Sequence, residues 1–299
     1  EACAEDTKGQ TCYICTQALH WKTKEGLVRG CACRGTAGIA HVSCLVEQAK
    51  ILCDEAEENN LGTKAFNERW RRWDTCSLCE QMYLGVVRCA LGWACWKTYV
   101  GRPETDQLRC LAMGQLAGGL FAAKKYEDAL PVQEADLSLS RRHGEQERSI
   151  LVVQGNLAGT YYALGRMQDA LRLRRDVYSG NLRVVGEEDR ETFSAGINYA
   201  TSLKGLQRFE EAKSLLRKQI PVARRKLGES HDLMFSMRSI YAKVLYQDPA
   251  ATHDDLREAV TTLEEVEPIA RRVLGGAHPL AVGIEETLQP ARATLRRRT

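Results

Sequence analysis

The sequence predicts a small zinc-stabilised α+β module followed by an all-α solenoid of repeated helix pairs. Three observations carry this. All twelve cysteines lie between Cys3 and Cys110 of a 299-residue chain. Seven of them and one histidine fall into four closely spaced pairs between Cys12 and Cys79. Beyond Gly101 a short phrase with an acidic residue before Ala returns at nearly constant intervals.

Composition bounds the function. A hydrophobic content of 44% with 27% charged residues is that of a folded globular chain. The net charge of +3 is small for this length, so no nucleic acid partner is expected. The longest stretch without a polar residue, Cys89 to Trp96, is eight residues, against the ~20 that span a bilayer. No membrane partner is expected either. The sequence opens at Glu1 without an initiator Met, which reads as a piece of a longer chain.

The four pairs are Cys12-x-x-Cys15, Cys31-x-Cys33, His41-x-x-Cys44 and Cys76-x-x-Cys79. Two cysteines so close together seldom bridge each other, whereas two ligands on one tight turn suit a metal. Eight ligands satisfy two tetrahedral zinc ions with none left over. The ions would supply folding energy that so small a module cannot obtain from burial. Spacing alone leaves open whether the pairs fill sequentially or interleave.

The order four Cys, His, three Cys, with a Cys-x-Cys second pair and the strings "CRGT" and "HVSCL", resembles the RING-CH variant of the RING finger over residues 12–84. That resemblance implies interleaving: one zinc on Cys12, Cys15, His41 and Cys44, the other on Cys31, Cys33, Cys76 and Cys79. It also implies a RING-type ubiquitin ligase, a transferase with no catalytic residue of its own and no covalent intermediate, whose partner is a ubiquitin-conjugating enzyme. Docking would use Ile14, between the first two ligands, and a tryptophan, for which Trp73 is the candidate. RING-CH proteins place that tryptophan four residues after the sixth ligand, where this chain has Gln48. Many active RINGs carry a basic residue after the eighth ligand, where this chain has Glu80. A PHD-like histone reader shares the ligand order, and a non-enzymatic scaffold is the other alternative.

The remaining elements follow in order. Cys3, Cys53, Cys89, Cys95 and Cys110 have no partner at ligand spacing and read as buried small apolar residues. From Val42, the positions Leu45, Val46, Ala49, Leu52, Cys53 and Ala56 predict one amphipathic helix, broken at "ENNLGT". A second short helix, "KAFNERWRRW", leads to the last pair. Residues 85–106 read as a helical junction, within a stretch where Trp93, Trp96 and Tyr99 cluster, packing the module (1–84) onto the first repeat.

The repeats occupy 107–299. Their phrases are "KYEDAL", "RMQDAL", "RFEEAK" and "DLREAV", and the turn glycines Gly144, Gly186, Gly228 and Gly275 lie 42, 42 and 47 apart, with the extra residues assigned to 247–254. Each of about four units reads as two antiparallel helices, and 280–298 as a capping helix. The phrase "NLA…Y…LGR…DAL" resembles the tetratricopeptide repeat in the longer form of kinesin light chains. That resemblance implies a concave groove that binds a protein or peptide substrate. Gln115, Asn156 and Asn198 share one register position and are the candidate groove amides, with Ile240 interrupting the series. Thiolate ligands place the protein in a reducing compartment, cytoplasmic or nuclear.

Overall fold

The computed structural model describes residues 7–33, 37–276 and 278–298, which contain two short strands and twelve α-helices. Cys3 and the Arg34–Thr36 part of the "CRGT" string lie outside the described residues. The chain divides into two compact units, 1–145 and 146–299. Among the described residues no helix is long and apolar enough to cross a membrane.

The first unit begins with β1 (Val28–Arg29) and β2 (Ile39–Ala40), paired antiparallel with Val28 opposite Ala40. Two residues per strand bury little. The spacing from Val42 makes the expected helix: α1 (Val42–Glu58) turns Cys44, Leu45, Ala49, Cys53 and Ala56 inward and ends before Asn60, whose φ is 49°. Next come α2 (Thr63–Trp70), a 3₁₀ turn (Arg71–Trp73) and α3 (Gly85–Tyr99). Cys53, Cys89 and Cys95 are buried as expected, while Cys110 is half-buried. Burial pushes the Cys53 thiol up to about 11, which keeps it protonated and inert.

The junction is a helix because it must lie flat against α4 (Gln107–Ala122). A Cβ on Gly92 of α3 would come within 2.6 Å of the Gln115 carbonyl oxygen, and one on Gly119 of α4 within 2.8 Å of the Arg88 carbonyl oxygen. The two helices touch backbone to backbone. Hence α3, α4 and the helix paired with α4, α5 (Tyr126–Arg142), belong to the first unit.

The second unit is built from helix pairs: α6 (Glu147–Ala163) with α7 (Met167–Val184), α8 (Arg190–Gly205) with α9 (Phe209–Leu227), and α10 (Asp232–Gln247) with α11 (His253–Leu274). A last helix, α12 (Pro279–Arg297), covers the end, as expected of a cap. Turn glycines Gly186, Gly228 and Gly275 all have positive φ, between 79° and 90°, where a side chain would be strained. The residues added in the last repeat form the 248–252 loop between α10 and α11, and α11 begins on a capping box of Thr252 and Asp255. Phe193, Leu216, Met234, Phe235, Leu245, Leu263 and Ile284 make one continuous core.

Candidate functional site

The two Cys-x-x-Cys pairs fold identically. Cys12 N–H donates to the Gln17 carbonyl at 3.0 Å and Thr16 N–H to the Cys12 carbonyl at 2.8 Å; Cys76 N–H donates to Gln81 at 2.9 Å and Glu80 N–H to Cys76 at 3.1 Å. In each turn the amide two residues on, Ile14 or Leu78, donates to the first thiol's Sγ at 3.4 Å. The residue after each second cysteine, Thr16 or Glu80, has φ of 62° or 54°. These left-handed residues close the turns that aim both sulfurs inward. Tyr13 Oη and Ser77 Oγ, 3.2 Å apart, tie the two turns together.

All eight expected ligands come together, and they interleave. Cys12, Cys15, His41 and Cys44 form one group, and Cys31, Cys33, Cys76 and Cys79 the other, with ligand atoms within 4.8 Å of one another in each. A tetrahedral ion with bonds of ~2.3 Å to sulfur and ~2.0 Å to nitrogen requires S···S edges of ~3.8 Å and S···N edges of ~3.5 Å. Cys33 and Cys76 Sγ are 3.8 Å apart, and His41 Nδ1 is 3.3 Å from Cys15 Sγ and 3.6 Å from Cys44 Sγ. The donor sets fit.

The surroundings fit as well. His41 Nε2 lies 3.3 Å from the Ala18 carbonyl; donating there fixes the tautomer that leaves Nδ1 free for a metal. Glu25 accepts from Ser43 N–H at 2.6 Å and holds the start of α1, which carries Cys44. A Cβ on Gly38 would meet Cys33 Cβ at 2.6 Å and Cys31 Sγ at 2.7 Å, so only glycine fits beside the second group. Burial first, and then the neighbouring thiols, push Cys33 and Cys44 far up from the ordinary thiol range. Both groups could hold metal ions, whose charge would offset that cost.

The expected docking residues separate. Ile14 is half-buried and packs partly against the buried cluster of the module. Trp73 is a correction: it is wholly buried, its ring 6.4 Å from Trp70 and 6.1 Å from Tyr99, and it offers no face to a partner. An aromatic ring in a short unit is worth more inside, where α1, α2 and α3 need something large to close on. Leu78, the counterpart of Ile14 in the other turn and 52% exposed, was missed, although "TCYIC" and "TCSLC" align residue for residue. Glu80 does not stand as a bare anion, since it is paired with Arg72 at 2.9 Å and with Arg71 at 3.9 Å.

The groove amides separate too. Gln115 is half-buried in the first unit and its amide donates to Asp74 at 3.4 Å, so it does not serve as a free rung. Asn156 on α6 and Asn198 on α8 are exposed within the second unit. Arg174 of α7 lies beneath: it donates to the Asn198 carbonyl at 3.0 Å and Ser202 Oγ at 2.8 Å, and it covers Tyr162 at 4.5 Å. Burial holds its pKa down to about 10. Its position on the inward stripe between Leu171 and Val177 was the available signal.

Residues 151–191 match the model of the tetratricopeptide repeat family. The chain is similar to the solved TPR-like repeats of a kinesin light chain from Podosopora anserina: the Q17M form gives a TM-score of 0.52 at 19% identity, covering 78% of this chain and 98% of that one. A second structure of those repeats gives 0.50 at 19% identity, covering 78% and 97%. BtubC from P. vanneervenii is similar at 15% identity and TM-score 0.48, covering 86% and 91%. No curated protein matches. The repeat match and the two kinesin light chain likenesses show a helical-repeat fold.

Proposed function

We propose that this chain is a RING-type ubiquitin ligase: its module holds two zinc ions and recruits a ubiquitin-conjugating enzyme, and its repeats bind a protein substrate. The observation that carries the reading is the interleaving of the eight ligands through two matched turns that carry the apolar tips Ile14 and Leu78. The zinc ions would be structural, fixing the turns without touching substrate. Catalysis would then be positioning of the docked enzyme's thioester, which calls for no nucleophile on this chain. Arg72 supports the geometry directly, donating to the carbonyl of Cys76 at 3.1 Å while it pairs with Glu80. The exposed Asn156 and Asn198 support capture of an extended peptide backbone, each bond contributing on the order of 1 kcal/mol. The reading places the protein inside the cell, where thiolate ligands stay reduced.

A non-enzymatic interaction scaffold is the second reading, and it is favoured by the burial of Trp73 together with Gln48 at the usual tryptophan position. Autoubiquitination across a panel of conjugating enzymes separates the two. The ligase reading expects chains with at least one enzyme, lost in Ile14→Ala and Leu78→Ala variants that keep their metal. Absence of chains with every enzyme leaves the scaffold.

A further inference from the structure

The loop between the second ligand and β1 carries a surface that neither metal group nor repeat uses. Residues 16–24 are exposed apart from His20, which retains 8% of its surface. His20 is anchored on every side. Its Nδ1 accepts from Thr23 N–H at 3.1 Å, its own N–H donates to Glu25 at 3.0 Å, its carbonyl accepts from Lys24 at 2.9 Å, and its ring meets His41 edge-on at 5.4 Å. Leu19 and Trp21 flank it, the Trp21 ring lying 6.1 Å from the His20 ring. They are 59% and 68% exposed. The anchored loop thus holds two large apolar side chains in water, whereas Trp70 and Trp73 are buried.

The charges carried by residues 16–24 have one sign. Lys22 and Lys24 are exposed beside it, no acidic residue occurs in 16–24, and Glu25 is turned inward onto the start of α1. We infer that residues 18–24 are a membrane-surface anchor, inserting Leu19 and Trp21 at the interface of a leaflet that bears anionic lipids, with Lys22 and Lys24 on the headgroups. Tryptophan favours the headgroup boundary, leucine gains from hydrocarbon, and lysines near the surface add attraction that salt weakens. A single-strand nucleic acid platform would instead line up several aromatic faces, and one aromatic residue stands here. The absence of a spanning segment bears on crossing a membrane, and this loop would only rest on one.

The test is cosedimentation of the full metal-containing chain with phosphatidylcholine vesicles, plain or with about 30% phosphatidylserine to set the surface potential. Binding is expected to the anionic vesicles, at least about tenfold weaker to the plain ones and weaker in high salt. A Leu19→Ser, Trp21→Ser chain is expected to lose about tenfold or more, Trp21→Phe to keep most, and Lys22→Glu, Lys24→Glu to lose the preference for phosphatidylserine. Metal content, read on each variant, is expected to stay at the unmodified level. Failure of the unmodified chain to bind anionic vesicles, undiminished binding by the double-serine chain, or retention of a single-stranded oligonucleotide in place of vesicles would overturn the assignment.

Discussion

The cysteine-rich segment and the repeat unit solve one problem by opposite means. Residues 146–299 bury a continuous apolar core, with Phe193, Met234, Phe235 and Ile284 at 0–1% exposure, and each helix pair leans on its neighbour. In residues 12–84 the strands have two residues each, and four of the nine residues in the buried cluster around the two ligand groups are cysteine: Cys12, Cys31, Cys44 and Cys76. Apolar burial scales with area, so a segment this short falls below what the entropy of ordering demands. On the proposed reading, metal–ligand bonds would take over that role, and such bonds tolerate little variation in position.

Chelation should expose the difference most strongly. Structural zinc contributes on the order of 10 kcal/mol in small domains, so a strong chelator is expected to unfold the first unit while 146–299 stays helical. Circular dichroism with limited proteolysis reads both. The backbone contact of α3 with α4 makes the expected loss extend through the first helix pair, beyond the 12–84 boundary that ligand spacing alone would set. A chelated chain with α4 and α5 still protected would show that pair to be self-sufficient.

A smaller effect tests the contact itself. Gly119→Leu forces a side chain against the Arg88 carbonyl and Cys89 Cα, 2.8 and 3.0 Å from where its Cβ would sit. Overpacking of this kind costs typically ~1–3 kcal/mol, and the denaturation midpoint of the first unit is expected to fall while that of the second holds. Equal loss in both units would contradict separate folding.

Ligand spacing made the two Cys/His groups legible, because chelation fixes how many residues separate two donors, and the resemblance to RING-CH fingers implied their interleaving. Period made the helix pairs legible, since Gly186, Gly228 and Gly275 must each return where φ turns positive. What stayed hidden depends on side-chain neighbours from distant parts of the chain. Trp73 reads equally well as a docking residue or as core until Trp70 and Tyr99 are seen beside it, and Gln115 is withdrawn by Asp74, 41 residues earlier. Leu78 is legible in the sequence, since "TCSLC" repeats "TCYIC" position by position.

The smallest expected effect is one of pH. Asp136 on α5 is 9% exposed, and burial, then the nearby Glu145, push its carboxyl up to about 7. A raised folded-state pKa means the folded unit takes up a proton that the unfolded chain releases above about 4. The stabilisation is therefore full at low pH and is lost as pH rises through 7. Between pH 6 and 8 the first unit should lose on the order of 1 kcal/mol, and Asp136→Asn should flatten that slope, as thermal melts at the two pH values would read.

The interleaving of the two groups also sets an order in time. A chain made from its N-terminus completes the first ligand set at Cys44 but must wait 32 residues for Cys76, roughly 2–6 s at ordinary synthesis rates. During that wait, on the proposed reading, Cys31 and Cys33 would be donors without their own partners, competing with His41 and Cys44 for the first ion. Correct sorting would then rest on what the first set already has, the Ala18 carbonyl beside His41 and the Glu25 carboxylate that holds Ser43. With zinc bound as proposed, those two contacts would act as a clock-keeper for the nascent module, favouring the right four donors before the last two exist.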